Sequence, residues 1–235
     1  IRRIFIVTGF DQKPCWLRDH PNVRIVPHES IFPNAEHLPT FNANSIECHL
    51  DRIDRLSEFF VYMNDDTFLG NSISLLDLLG VDGTILGATS PLCTIDFASK
   101  PTSSDMAFVA AWKNNSRILR SQFGRQVKLL PAHQAKMMSK SILNDARGMF
   151  PAAFDQMSQC GFRGVNNINV PGIAFYVGLY TDRLRVANHL KTQFITLGDD
   201  PGANETEFRH LSSRRPHLFC INDDTTDDAP QDDVN

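Results

Sequence analysis

Residues 59–63, Phe-Phe-Val-Tyr-Met, form an unbroken apolar run that stops abruptly at Asn64, Asp65 and Asp66. So short a run, rich in aromatic side chains, reads as a buried strand. The change to one amide and two carboxylates puts an acidic loop at its end. A strand buried on both faces requires covering layers, which favours architectures that lay helices against a sheet.

Elsewhere the pattern alternates. Residues 4–8 read as a strand broken by Gly9 and Pro14, and residues 23–26 as a second. From Asn44 the period changes: Ile46, Leu50 and Ile53 recur at four and three residues, predicting an amphipathic helix to about Asp54 with Asn44 or Ser45 as N-cap. Helical spacing runs over 107–123 through Phe108, Ala111, Ile118 and Leu119, and another helix is expected over 134–149, closed by Pro151. Residues 75–79 and 84–86 are short and ambiguous, and 170–180, with Pro171 and two glycines, fits a buried helix or a strand. Strands are expected at 194–197 and 217–221. With no internal repeat, this order implies an α/β fold with a mixed, mostly parallel sheet flanked by helices. One domain is expected over 1–224, followed by an acidic tail over 225–235 that is poor in apolar residues and therefore solvated.

At 235 residues and 42% hydrophobic content the chain is large enough to bury a full core. A formal net charge of -4 gives no global field for a polyanion, so nucleic acid is not an expected partner. Five cysteines, scattered and without a CxxC pair, argue against a zinc ribbon or a disulfide scaffold and read mostly as small buried apolar residues. No run approaches the length of an apolar membrane span, and the chain opens inside a strand pattern, which points to a missing upstream segment.

Adjacent carboxylates at a strand end can hold a hard divalent cation such as Mg²⁺ or Mn²⁺ and leave positions for phosphate oxygens. Asp65 and Asp66 suit that role, although the same triplet also makes a solvated turn cap. A second Asn-Asp-Asp at Asn222, Asp223 and Asp224 follows another apolar run, and two such loops could converge at the carboxyl edge of a sheet or be unrelated turns. His28, His49 and His133 are open to catalytic or structural readings. His49 lies near the stripe of the first helix with Arg52 close by, at the core edge or as a wall of a site. Arg163, in a polar loop, could clamp phosphate oxygens or be a surface cation. No Walker loop, GxSxG elbow or GxGxxG is present, and the two Asn-x-Ser/Thr sequons at Asn114 and Asn204 are no more than chance supplies.

Four blocks of sequence, residues 20–28, 38–53, 56–58 and 62–70, the last reading Tyr62-Met-Asn-Asp-Asp-Thr-Phe-Leu-Gly70, resemble in order and spacing the second conserved region of the Stealth family. That family includes bacterial capsular polysaccharide phosphotransferases and the animal N-acetylglucosamine-1-phosphotransferase. Leu130-Pro-Ala-His133, Phe150-Pro151 and Phe162-Arg163 are similar to its third region, and Phe219-Cys-Ile-Asn-Asp-Asp224 to its fourth. Nothing matches the family's first region, which resembles Asp-Val-Val-Tyr-Thr-Trp-Val and helps to bind the nucleotide, so the resemblance leaves open whether this chain is competent alone.

The resemblance implies a Rossmann-like nucleotide-sugar transferase core with Mg²⁺ or Mn²⁺ at Asp65, Asp66 and Asp223. It implies that His133, Arg163, Asp66 and Asp223 act in catalysis while Asn64, His49, Arg52, His28 and Asn222 contact substrate. The implied partners are a UDP-sugar donor and a glycan acceptor, with self-association left open. The implied reaction moves a hexose- or N-acetylhexosamine-1-phosphate to a sugar hydroxyl and releases UMP, in capsule or exopolysaccharide synthesis. The rivals are a metal-dependent glycosyltransferase releasing UDP and a non-catalytic sugar-binding module. Capsule enzymes of the family work in the cytoplasm at the membrane periphery and the animal relatives in the Golgi lumen, so either location is compatible.

Overall fold

The computed structural model describes residues 1–10, 12–90 and 94–226. The strands are β1 (Ile4–Thr8), β2 (Val23–Pro27), β3 (Phe59–Tyr62), β4 (Thr67–Leu69), β5 (Ile85–Gly87), β6 (Thr89–Ser90), β7 (Leu130–Pro131), β8 (Lys136–Ser139), β9 (Leu184–Val186), β10 (Thr192–Leu197) and β11 (Leu218–Asp223). The α-helices are α1 (Ala43–Glu47), α2 (Ala107–Phe123), α3 (Lys140–Met149), α4 (Pro151–Ser158), α5 (Val170–Tyr180) and α6 (Pro201–Arg214). The fold is mixed α/β, with the strands in small sheets of two or three members; one broad, mostly parallel sheet is not what these strands form. Among the described residues no helix is long and apolar enough to cross a membrane. The last nine residues of the acidic tail, and Cys93, lie outside the described residues.

The chain divides into two compact units. The first comprises 1–60, 94–128 and 138–180. Its centre is α5, whose residues from Val170 to Gly178 are all buried, which is why neither period stood out in the sequence: a helix apolar on every side has no stripe to read. Asn169 caps it by accepting from Gly172 N at 2.7 Å. Gly172 lets α2 approach, since a Cβ there would stand 2.4 Å from the Trp112 indole. The α2 side of this contact is polar as well as apolar. Asn115 exchanges two hydrogen bonds with Asn169 (2.8 and 3.0 Å), and Asn114 donates to the Val165 and Asn167 carbonyls (both 2.9 Å). The first sequon therefore lies in the buried face of a helix.

Several boundaries differ from expectation for local reasons. The first helix is capped by Asn42, whose side chain accepts from Asn44 N, and it ends at Glu47; a 3-10 turn then carries Leu50 and Ile53 into the core. The helix expected from 134 begins only at Lys140, because 136–139 are extended and Ser139 is the N-cap of α3, accepting from Ile142 N at 3.2 Å. Glu58 reinforces that start by accepting from Ser139 Oγ, Ser141 Oγ and Ser141 N, a carboxylate placed where the helix leaves its first amides unpaired. Pro151 both closes α3 and opens α4, where its missing N–H costs nothing.

The second unit has its described residues in 61–90, 129–137 and 181–226. Its main element is a β10-α6-β11 crossover, with β10 and β11 parallel in register from Thr192↔Leu218 to Leu197↔Asp223, the connection a parallel pair requires. On the other side of β11, β4 runs antiparallel, pairing Thr67 with Cys220 and Leu69 with Leu218. β6 pairs antiparallel with β7, and β5 parallel with β9. Helix α6 begins at the Asp200 cap, which accepts from Gly202 N at 2.9 Å. None of its side chains is buried, so it carries no strong apolar stripe and left little trace in the sequence.

Candidate active site

In the second unit two turns deliver side chains to the face of β11. The turn after β3 is held by Thr67, whose N and Oγ1 both donate to the Asn64 carbonyl (3.2 and 2.9 Å), and by Ile221 N, which donates to the Asp66 carbonyl at 2.9 Å. Asp66 is thereby fixed beside the central strand. The second turn follows β7, where Ala132 N donates to Ala88 O at 3.0 Å and puts His133 next in the chain.

Asp66, His133 and Cys220 meet there. His133 Nε2 lies 2.8 Å from Asp66 Oδ2, and the Cys220 thiol donates to the same oxygen at 3.5 Å. The other carboxylate oxygen, Oδ1, is buried and has no protein partner, the state of an acceptor that a cation would satisfy. The imidazole, thiol and carboxylate donor atoms lie within 4.8 Å of one another, a grouping compatible with a divalent metal, for which the Asp66 carboxylate is the hard-cation ligand. Burial and the Asp66 charge push the Cys220 thiol up to about 12, against a smaller opposing effect of Lys136. It therefore faces Asp66 as an S–H donor at neutral pH.

Side chains two apart on a strand share a face, so Asn222 lies on the Cys220 side of β11. Thr196 is its β10 partner, and Phe194 that of Cys220. The exposed Phe194 ring lies 6.4 Å from the His133 ring. Asp65 is exposed one residue before Asp66. Asp223 falls on the opposite alternation at the end of β11, where its carboxylate accepts from Thr225 N and Oγ1 (3.0 and 2.7 Å), bonds that hold its pKa below the usual carboxylate value.

The remaining expected site residues, His28, His49, Arg52 and Arg163, belong to the first unit. Arg52 and Arg163 are exposed. His28 is buried near Phe32, and burial lowers its pKa. His49 is 4% exposed, packs on Phe32 at 4.4 Å between ring centroids, and shares the Ser158 hydroxyl with His37 (2.8 and 2.7 Å). Burial, helped by Arg52 and Arg147, depresses its pKa from 6.5 to about 4.

The His49 shift has a consequence for stability. Because the folded state resists the proton that the unfolded chain accepts near pH 6.5, stability from this group is present above that pH. It is lost as pH falls from 6.5 toward 4, by roughly 3 kcal/mol at most. Urea unfolding at pH 7 and pH 4.5 should show this loss in the wild type and a shallower one in His49→Gln, with His28 supplying part of the remainder. Equal losses in both would refute the assignment.

Sequence reasoning did not single out Cys220 or Phe194. The only available signal was position: both lie in apolar runs that end in polar residues, and their convergence depends on a strand pairing that local pattern does not reveal.

Comparison with known proteins fits this geometry. Conserved region 2 of Stealth proteins matches residues 1–84, and conserved region 3 matches residues 132–176, together more than half of the chain. Asp66 falls in the first of these stretches and His133 in the second. The chain belongs to the Stealth family. An exopolysaccharide phosphotransferase of Streptomyces coelicolor is 33% identical over 236 residues, covering 97% of this chain and 38% of the relative. A second from the same organism is 33% identical over 95% of this chain and 41% of its own length. The exopolysaccharide phosphotransferase CpsY of Mycobacterium leprae is 31% identical over 98% of this chain and 42% of its own. The chain thus spans about two fifths of the length of these Stealth relatives.

Proposed function

We propose that this Stealth chain carries catalytic residues of a phosphotransferase that moves a hexose- or N-acetylhexosamine-1-phosphate from a UDP-sugar to a glycan hydroxyl and releases UMP, in exopolysaccharide or capsule synthesis. The carrying observation is the Asp66–His133 pair beside a buried, unpartnered carboxylate oxygen, in a chain whose relatives bear the name exopolysaccharide phosphotransferase.

Asp66 Oδ2 accepts from His133 Nε2–H and orients the ring, which leaves Nδ1 as the basic nitrogen. From there the imidazole takes the acceptor hydroxyl proton as the new O–P bond forms at the sugar-bearing phosphorus and the bond to UMP breaks. Cys220 donates to Asp66 and fixes the carboxylate. Asp66 is the residue that would hold Mg²⁺ or Mn²⁺, with Asp65 near enough in the chain to assist. The ion would supply charge stabilisation on the phosphate oxygens, since phosphoryl transfer depends mainly on positioning and electrostatics.

The test is nucleotide release from UDP-sugars with and without Mg²⁺ or Mn²⁺, using this chain and a version of the relatives' length. Metal-dependent UMP release is expected. UDP release would transfer the chain to the glycosyltransferases, and donor binding without release of either would favour a sugar-binding module.

A further inference from the structure

In the first unit, Phe41 and Phe162 stack on each other with ring centroids 5.3 Å apart and planes within 20°. They remain 64% and 72% exposed. Two phenyl rings left this open would ordinarily be free to move and to fold against the surface. Here their backbones are clamped. Phe41 N donates to the Gly161 carbonyl at 2.8 Å, and Thr40 Oγ1 donates to the Cys160 carbonyl at 3.3 Å. Fully buried Asn42 donates to the Phe162 carbonyl and to Asn167 Oδ1, both at 3.0 Å, and Asn167 Oδ1 also accepts from Gly164 N. A buried polar network therefore holds two apolar side chains in water, and the residue that follows Phe162 in the chain is the exposed Arg163.

We propose that this stacked pair is a platform for a pyranose ring of the acceptor glycan, with Arg163 binding the phosphate that joins that sugar to its neighbour. The C–H face of a pyranose packs flat against an aromatic ring, and a guanidinium pairs with two phosphate oxygens at once. Two phenyl rings offer far less than the surface a protein partner requires. They are large enough for one sugar. The assignment to the acceptor rests on the proposed function, in which the donor's phosphates belong with Asp66 and His133.

The test uses calorimetric titration of the whole chain with a synthetic hexose-phosphate-hexose disaccharide and, separately, with a UDP-hexose. Phe41→Leu/Phe162→Leu, which keeps apolar bulk but removes both ring faces, should weaken disaccharide binding about tenfold or more and leave UDP-hexose binding unchanged. Phe162→Tyr, which keeps the ring, should bind the disaccharide like the wild type. Both variants alter exposed side chains, and unchanged melting curves will show that they fold. Equal disaccharide affinity in wild type and double variant overturns the platform. A loss confined to, or shared by, UDP-hexose overturns its assignment to the acceptor. Because binding is read without turnover, failure of UMP release with normal disaccharide binding would count against the proposed reaction and not against the platform.

Discussion

Asp66→Asn will lower metal-dependent UMP release by at least two to three orders of magnitude while changing the melting temperature little. The amide keeps the shape of the side chain but loses the charge. His133 Nε2 then loses its anionic partner, and Oδ1, buried without a partner, ceases to be a carboxylate oxygen for a cation. General-base positioning and charge stabilisation are each worth about a hundredfold or more. Stability should hold because Asp66 and His133 are 28% and 42% exposed, and surface pairs of this kind contribute about 1 kcal/mol or less. A second readout separates site damage from a general effect. The Asp66 charge is one of the forces raising the Cys220 thiol to about 12, so in Asp66→Asn that thiol should ionise at lower pH, though still above an ordinary cysteine because its burial persists. Thiolate absorbance against pH will follow it. Turnover equal to wild type would remove Asp66 from the mechanism, and an unmoved Cys220 titration would show that the two side chains are not coupled.

How far such a site can be read from sequence depends on which of its contacts are local. The end of the apolar run at Asn64 marked the end of β3 and the turn that carries Asp66, because a strand giving way to an acidic turn is a local event; the burial expected of the run is not found, since Phe59, Phe60 and Tyr62 are half-buried and Val61 and Met63 exposed. His133 was legible through the family resemblance, and its neighbourhood was misread: Met137 and Met138 suit a helix as well as a strand, and only the Ser139 cap marks where the helix begins. Cys220 was read as a small buried apolar residue, and it is buried. Its second role, as the donor to Asp66, arises because β4 pairs antiparallel to β11 and sets Thr67 beside it, a contact 154 residues apart in the chain. The paired Asn-Asp-Asp motifs show the same limit. Both end strands as expected, but Asn222 shares the alternation of Cys220 whereas Asp223 does not, and its carboxylate is engaged with Thr225. Two identical triplets can therefore differ in what they offer the site, since a strand exposes alternate residues to each face.

Arg147→Met will destabilise the first unit by about 3–5 kcal/mol without touching the residues of the proposed reaction. Arg147 lies on α3, and its guanidinium spans two elements: Nη1 donates to Asp51 Oδ2 at 3.0 Å, Nη2 donates to Asp51 Oδ1, and Nη2 also donates to the Cys48 carbonyl at 2.7 Å. The side chains of Arg147 and Asp51 are only 21% and 11% exposed, so the pair is largely cut off from water. Methionine fills much of the volume and keeps the helix, but it strands the Asp51 carboxylate and the Cys48 carbonyl without donors, and the uncompensated charge is the dominant loss. Lysine should fall between, since an ammonium cannot pair both carboxylate oxygens in one plane. The pair itself is worth less than its rupture suggests: Asp51→Leu/Arg147→Met, which removes both charges, should recover most of the stability, because two desolvated ions are replaced by apolar contacts. Urea unfolding of these three variants and of Asp51→Leu alone decides this. A single-variant loss below about 1 kcal/mol would show that water reaches the pair. A double variant as unstable as the sum of its singles would show that Arg147 acts through packing against Phe154, over whose ring it lies 6.0 Å from the centroid, and not through its charge.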